Sequence, residues 1–177
     1  MPNYQDEING VSISEAYAEA AASAPIDRVV YYTYELTHPT FTERVLIVND
    51  FAPITVTLED GTEAEFTACP VSVTPPEESD ESATPNIRIN IDGVSGIVAA
   101  KLDEAVKTME RIGIIERVYV SDDLSAPAVM PPLRLTLRDV EVTEQTVSAS
   151  AAYDDPINRG FPGKDYLPRE YPGLAAR

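Results

Sequence analysis

The sequence predicts a mainly β, α+β fold: a β-sandwich or small barrel with an N-terminal helix, a second helix packed on the sheet and an extended C-terminal arm. Short runs rich in Val, Ile, Thr and Tyr alternate between apolar and polar residues along most of the chain, as half-buried strands do. Only two stretches carry the apolar repeat of an amphipathic helix. The final residues, 154–177, follow neither period.

The clearest strand pair lies within residues 28–50. Its two runs, Val29–Leu36 and Glu43–Val48, are joined by a short connector that contains His38. This arrangement is typical of a β-hairpin. We expect His38 to be structural, because no cysteine, second histidine or serine motif lies beside it.

The first strand of this hairpin carries tyrosines on both faces. Tyr32 and Tyr34 share one face and Tyr31 lies on the other. Two interpretations stay open: one face meets a second subunit, or both faces are buried within one domain.

Further strands are predicted from the same alternation. The dipeptide Asp60-Gly61 indicates a second hairpin. The apolar residues of one run stand at odd positions up to Leu137 and at even positions from Val140 onward. This change indicates a bulge or tight turn near Arg138-Asp139. The small residues of the last strand favour an edge strand against another chain. The predicted runs are 54–58, 63–73 interrupted at Pro70, 86–92, 114–120, 133–142 and 147–153.

The two predicted helices differ in composition. The first begins with Ser12 and Glu15 at capping-box spacing, has an Ala-rich face and stops at Pro25. That face packs either on its own sheet or on a neighbouring subunit. The second spans about 97–111, ends at Gly113 and presents its apolar stripe to the core.

Length and composition fit one β-rich domain, residues 1–153, followed by the arm, residues 154–177. No apolar run approaches the roughly 18 residues that cross a bilayer, and the start of the chain lacks the features of a signal peptide. We therefore expect no membrane insertion, and synthesis in the cytoplasm. Residues 74–85, with three prolines and four acidic residues, indicate an exposed loop.

Charge separates the domain from the arm. The formal net charge is −17. Residues 154–177 hold four basic and four acidic side chains, so residues 1–153 hold nine basic and 26 acidic ones and carry the whole excess. Such a surface repels a phosphate backbone, so we expect no sequence-specific nucleic-acid binding. The same repulsion suits a conduit through which DNA must pass without adhering.

Residue types that carry chemistry are sparse. Cys69 is the single cysteine, which excludes an intramolecular disulfide and a zinc site of the Cys/His type, and we expect a buried thiol. The carboxylate pairs Asp122-Asp123 and Asp154-Asp155 lie in turn-like contexts that favour capping over acid-base catalysis. We expect no catalytic residue, no metal site and no cofactor.

The arm combines proline and glycine with spaced apolar side chains, which disordered tails usually lack. We expect it to lie extended over a surface, either that of its own domain or that of a neighbour. Its apolar anchors are Phe161, Tyr166, Leu167, Tyr171 and Leu174.

Four motifs, in their order along the chain, resemble a family of small proteins of tailed bacteriophages and prophages. They are a Ser-x-x-Glu-Ala helix near the N-terminus, a Tyr-rich strand running into Glu35-Leu36-Thr37-His38-Pro39-Thr40-Phe41, a strand-turn-helix over Ile89–Met109, and an arm with Phe161-Pro162, Tyr166 and Tyr171-Pro172-Gly173-Leu174. The resemblance spans about Ser12–Leu174, and Tyr171 stands where the family more usually has Phe. Members of this family, long described only as a domain of unknown function, look like tail-tip or distal-tail proteins.

The resemblance implies a structural virion component without catalysis, made and assembled in the host cytoplasm. Its expected form is a homo-oligomeric ring, with a hexamer favoured and a trimer as the alternative. Such a ring joins the tail tube to the hub or baseplate and lets DNA pass. The expected subunit-interface residues are Tyr32, Tyr34, Phe161, Tyr166, Tyr171 and Leu174.

Two other functions stay open. One is a monomeric carbohydrate-binding or adaptor module with tyrosines as its platform, although the absence of Trp counts against stacked sugars. The other is a carboxylate-based tail-tip hydrolase, which needs paired carboxylates in a cleft.

Overall fold

The computed structural model describes residues 11–75, 87–93, 96–108, 110–143 and 145–153. Within these ranges the chain forms eleven strands and two helices. Neither of these helices is long and apolar enough to cross a membrane. In chain order the elements are β1 Ser12–Ile13, α1 Glu15–Ser23, β2 Val30–Thr37, β3 Val45–Val48, β4 Ile54–Thr57, β5 Glu63–Ala68, β6 Val71–Thr74, β7 Ile87–Asp92, α2 Gly96–Val106, β8 Gly113–Val120, β9 Val129–Met130, β10 Leu133–Val142 and β11 Thr146–Tyr153.

Nine of these strands form one sheet in the order β4-β5-β3-β2-β8-β10-β11-β7-β6. Strand β6 forms one edge of this sheet, and β5 lies next to the other edge. The chain passes directly from β5 to β6 through Cys69 and Pro70, so the two edges of the sheet come together. The Cys69 amide donates to the Val48 carbonyl of β3 over 3.0 Å, and the Asp92 amide of β7 donates to the Pro70 carbonyl over 2.9 Å. The sheet therefore curls toward a small barrel, and the predicted mainly β, α+β class is confirmed.

The inner face of the curved sheet encloses the main core. Side chains of seven strands meet there with Ala99, Leu102 and Ala105 of α2. Leu102 and Ala105 have no exposed surface, and burial of a leucine contributes about 1.5–3 kcal/mol. The apolar stripe of the second helix thus packs on the core as predicted, except at Val106, which is half-exposed.

The second helix ends at Val106, earlier than predicted, and Gly113 belongs to β8 instead of terminating the helix. Pairing of Thr37 with Gly113 across β2 and β8 explains the glycine. A Cβ at Gly113 would lie 2.5 Å from Oγ1 of Thr37. Because that distance is shorter than atoms can pack, a larger residue at this position would displace the Thr37 hydroxyl.

A smaller core lies on the outer face of the sheet, where the hairpin β4–β5 covers β2, β3 and β8. The Tyr119 hydroxyl donates to the Thr57 carbonyl over 2.9 Å, and burial raises the pKa of Tyr119 to about 12. The hairpin is therefore attached by a buried hydrogen bond as well as by apolar contact. The buried members of this cluster are Val48, Val56, Leu58, Phe66 and Tyr119.

Two local predictions about turns and bulges are confirmed. The Asp60-Gly61 turn joins β4 to β5, and Gly61 has the positive φ, +81°, that glycine tolerates best. The register between β10 and β11 shifts between Arg138 and Glu141, where Asp139 has φ 50°. That shift accounts for the change of parity in the sequence of β10.

The predicted start of the first helix is wrong. Ser12 does not cap a helix, because Ser12 and Ile13 form β1 and pair with β9. The helix cap is Ser14, whose hydroxyl accepts from the Tyr17 amide over 3.2 Å. The Ser14 amide donates to the Ala128 carbonyl over 2.7 Å, which holds the preceding residues in an extended conformation.

The prediction of an edge strand at residues 147–153 is also wrong. The strand β11 is central and pairs with β10 on one side and β7 on the other. Its alanines Ala149 and Ala151 point into the main core, where they are 6% and 0% exposed. Small residues here suit the interior of a tightly curved sheet. The predicted arm, residues 154–177, and most of the predicted acidic loop lie outside the described residues.

Candidate assembly surface

Large apolar side chains are exposed at the end of the sheet where β2 begins. Ile26 is 105% exposed, Phe51 99% and Val29 48%. We call these three residues the apolar patch. Val29 and Phe51 also line a shallow pocket of about 190 Å³ together with Pro70. Exposed apolar side chains that share one pocket, as Val29 and Phe51 do, are typical of sites that bind another protein.

Backbone hydrogen bonds hold Phe51 in its exposed position. The Asn49 amide donates to the Tyr32 carbonyl over 3.0 Å, which continues the β2–β3 pairing by one residue. The Asn49 side chain accepts from the Val71 amide over 3.0 Å. The chain then turns outward at Asp50, whose carboxylate accepts from the Phe51 amide. The exposure of Phe51 is therefore a consequence of an ordered turn.

The other side of the patch is held by Arg28. Its guanidinium contacts Glu19 of α1 and lies 2.7 Å from Asp122, which follows β8. Next to it, the Ser121 amide donates to the Val29 carbonyl over 2.8 Å, and the Val29 amide donates to the Ser121 hydroxyl over 3.1 Å. Helix α1 and strands β2 and β8 thus fix the turn that displays Ile26.

Two carboxylates border the apolar patch. Asp27 follows Ile26 and is exposed, and Asp50 precedes Phe51 and is half-buried. Within the described part of the chain neither forms an ion pair with a lysine or arginine. A partner that fits this surface brings apolar side chains together with positive charge.

The predicted interface tyrosines of β2 lie in two different environments. Tyr34 is 3% exposed and belongs to the main core, so it has almost no surface for a second subunit. Tyr32 is 37% exposed, and burial and then a hydrogen bond with Tyr17 raise its pKa. Tyr31 packs against the outer cluster. Around Tyr34 both faces of β2 are therefore buried within one chain. The other predicted interface residues, Phe161, Tyr166, Tyr171 and Leu174, lie outside the described residues.

A buried ion cluster was not predicted. Arg117 of β8 is 3% exposed and binds Glu59 in a bidentate manner, with Nε 2.6 Å from Oε2 and Nη2 2.9 Å from Oε1. Its Nη1 lies 2.9 Å from Oε2 of Glu35, at an angle too poor for a hydrogen bond. The signal in the sequence is an arginine in a strand of mainly apolar residues, which indicates a buried partner.

This cluster attaches the β4–β5 turn to the outer face of the sheet. Glu59 lies in that turn and Glu35 on β2, so Arg117 connects two layers. The hydrogen bond from Arg117 lowers the pKa of Glu59 below its ordinary value. Because the cluster is covered by the hairpin, its role is structural.

The comparison with protein families matches residues 16–166 to the Domain of unknown function (DUF1833). The chain belongs to this family. The match continues past Tyr153 into the predicted arm. No curated protein matches the chain.

In this DUF1833 chain His38 connects the β2–β3 loop to the end of α2. Its Nδ1 accepts from the Thr40 amide over 3.2 Å, and its Nε2 lies 3.1 Å from the Thr108 hydroxyl. That hydroxyl donates to the Ala105 carbonyl over 2.7 Å, which leaves its oxygen free to accept from Nε2. These contacts agree with the predicted structural role.

The remaining candidates for chemistry in the DUF1833 chain have local partners. Asp122 pairs with Arg28, and Asp123 accepts hydrogen bonds from the amide and hydroxyl of Ser125, which lower its pKa. Cys69 is buried, as predicted, and burial raises the pKa of its thiol. The described residues contain no group of three His, Cys, Asp or Glu side chains that could hold a metal ion.

Proposed function

We propose that this protein is a structural component of a bacteriophage tail tip, a ring of identical subunits that joins the tail tube to the hub or baseplate. DNA passes through its opening. The ring is built in the host cytoplasm and stays in the virion tail, and the protein performs no catalysis. A hexamer is favoured and a trimer is the alternative.

The observation that carries this proposal is the apolar patch on an ordered β body. Ile26 and Phe51 are almost fully exposed, although the turns that display them are fixed by hydrogen bonds. Burial of one such side chain against a partner contributes about 1.5–3 kcal/mol. A subunit that assembles buries this surface, and closed rings repeat one contact around the axis.

The charge of the chain supports a path for DNA. Residues 1–153 hold 26 acidic and nine basic side chains. Six of those nine basic side chains already pair with carboxylates of the body: Arg28, Arg44, Lys101, Lys107, Arg117 and Arg134. Little positive charge is left to bind phosphate, so DNA in the opening is repelled instead of adhering.

Native mass spectrometry of the full chain, together with electron microscopy of purified tails, tests the proposal. The expected results are a closed assembly of six or three copies and a ring below the tail tube. A chain that stays monomeric at every concentration and is absent from purified particles rules the proposal out.

A monomeric carbohydrate-binding module is the second candidate, favoured by one depression on the outer face of β7 and β11. Its volume is about 450 Å³, and its polar lining includes Arg88, Asn90, Glu141, Ser148 and Ser150. Hydroxyl, carboxamide and charged groups of this kind bind sugars by hydrogen bonds. Binding of a glycan by a monomeric chain, lost in Asn90→Ala, distinguishes this function from the ring.

A further inference from the structure

We infer that the apolar patch and its two bordering carboxylates receive the C-terminal segment, residues 154–177, of a neighbouring copy of the same chain. This inference rests on the proposed ring, because it names the segment that one subunit places on the next. It goes further by assigning a receiving surface, a donating segment and a direction to the contact.

Apolar complementarity is the first argument. The patch offers one aromatic and two aliphatic side chains that are about half to fully exposed. The sequence of the C-terminal segment offers large apolar side chains spaced by proline and glycine. An extended peptide that inserts spaced side chains into shallow pockets is a common recognition mode. The apolar side chains of the segment are Phe161, Tyr166, Leu167, Tyr171 and Leu174.

Charge complementarity is the second argument. Beyond Asp155 the segment holds four basic side chains and two acidic ones, Asp165 and Glu170, so its side chains carry a net charge of +2. The body that precedes it carries −17, from 26 acidic and nine basic side chains. Asp27 and Asp50 beside the patch have no ion-pair partner among the described residues. Opposite charges at the border of an apolar contact speed association and fix its register.

Strand direction and reach are the third argument. The register places Tyr153 opposite Leu135, Leu135 opposite Ile114 and Ile114 opposite Leu36. From these pairings β11 runs toward the end of the sheet where β2 begins, which is the end that carries the patch. The 24 residues of 154–177 span roughly 80 Å when extended. A domain of this size is about 40 Å across, so the segment can reach a neighbour.

The contact joins two different surfaces, a segment on one copy and a patch on the next. Heterologous contacts of this type generate rings when the rotation closes, whereas a contact between identical surfaces stops at a dimer. The inferred contact therefore has the symmetry that the proposed ring requires.

Disulfide trapping between two full-length variants tests the inference. Both variants carry Cys69→Ala, which removes the native thiol; one adds Phe51→Cys and the other Tyr166→Cys. When the two are mixed under mild oxidation, we expect a cross-linked species with the mass of two chains. The control replaces Phe51→Cys by Val106→Cys, on α2 at a position that is 43% exposed, where we expect at most a tenth of the cross-linked yield.

The outcomes separate this inference from the proposed function. A chain that carries both Phe51→Cys and Tyr166→Cys and closes a disulfide only within itself overturns the inference, because the segment then covers its own patch. A ring that forms without any cross-link to Phe51→Cys also overturns it, while the proposed function stands. A chain that is monomeric under all conditions contradicts both.

A charge variant gives a second readout that does not depend on disulfide chemistry. In Asp27→Lys/Asp50→Lys the first site is exposed and the second is half-buried and bonded to the Phe51 amide, so the circular dichroism spectrum is compared first and is expected to be unchanged. The dissociation constant of the assembly is then expected to be at least tenfold higher. Glu104→Lys/Glu110→Lys, two exposed sites near the end of α2, is the matched control for charge and is expected to assemble like the native chain. Equal assembly of both double variants overturns the inference.

Discussion

The two halves of the outer face of the sheet differ in how they meet water. On β2, β3 and β8 the outward side chains are apolar or belong to the Arg117 cluster, and the hairpin β4–β5 covers them. On β7 and β11 the outward side chains include Arg88, Asn90, Ser148 and Ser150, which line a shallow depression. The sheet is continuous, but among the described residues only its first half carries a second layer.

This difference shows that the outward side chains of each strand determine whether that part of the sheet must be buried under a second layer. Val48 and Tyr119 are fully buried under the hairpin and would expose a large apolar area without it. Arg117 and Glu35 would regain water, but the pairing of Arg117 with Glu59 would be lost. The serines of β11 can form hydrogen bonds with water. The hairpin β4–β5 is therefore part of the core of the fold, and the polar half is ordinary surface.

The largest effect that tests this comparison is expected for Arg117→Ala. The substitution leaves the carboxylates of Glu35 and Glu59 facing each other under the hairpin without their cation. Removal of one partner from a buried ion pair costs about 3–5 kcal/mol of the free energy of unfolding. Urea titration of the variant measures the loss.

Arg134→Ala serves as the control for Arg117→Ala. Its guanidinium lies 3.9 Å from Glu59 and is 67% exposed, so we expect a loss of at most about 0.5 kcal/mol. Equal losses in the two variants would show that the covered half does not depend on its buried arginine.

A smaller effect is expected for Tyr119→Phe. The ring stays packed under the hairpin, but the Thr57 carbonyl loses the hydroxyl donor that lies 2.9 Å away. We expect a decrease of about 1–2 kcal/mol in the free energy of unfolding, since a buried acceptor is left unsatisfied. Hydrogen exchange should also become faster at the amides of β4. A variant as stable as the native chain would mean that water reaches Thr57 and that the cover is loose.

Acid should weaken the attachment of the hairpin. Arg117 lowers the pKa of Glu59 below its ordinary value of 4.5. The contribution of Glu59 to stability is therefore complete above pH 4.5 and is lost as the pH falls through the lower pKa of the folded state. In Glu59→Gln this part of the acid dependence should disappear in urea titrations at several pH values. The prediction fails if native chain and variant lose stability in parallel below pH 4.5.

The smallest effect is expected on the polar half. Ser150→Ala removes a hydroxyl from the outward face of β11, and the free energy of unfolding should change by no more than about 0.5 kcal/mol. Thermal unfolding is sensitive enough to check this. A loss as large as that of Tyr119→Phe would show that the polar half is also covered, and the contrast between the halves would then be wrong.

Local patterns predicted the hairpins and the second helix from sequence. The strands that flank His38 and those that flank Asp60-Gly61 pair with a strand only a few residues away. The alternation of apolar and polar residues and the residues of the turn are therefore enough to predict these hairpins. The bulge near Asp139 was predicted for the same reason, since a parity change is visible in one strand.

Features that depend on distant residues were not predicted. Ser12 pairs with Met130 in a two-residue strand. A strand of this length is too short to show an alternation of apolar and polar residues. Glu35, Glu59 and Arg117 come together only after the hairpin folds over the sheet. The apolar patch consists of single residues in turns, and an isolated Ile or Phe in a turn is common in any sequence. The small residues of β11 were interpreted as an edge because curvature of the sheet cannot be read from one strand.

The short segment at Cys69 and Pro70 has a consequence for how the molecule opens. The Cys69 amide donates to the Val48 carbonyl of β3, and the Asp92 amide of β7 donates to the Pro70 carbonyl, so this segment connects the two strands. Because the segment is bonded to both β3 and β7, neither strand can separate from the rest of the sheet without breaking this link. We expect the amides of Cys69 and Asp92 to exchange with solvent at the same rate, by one cooperative opening of this part of the sheet.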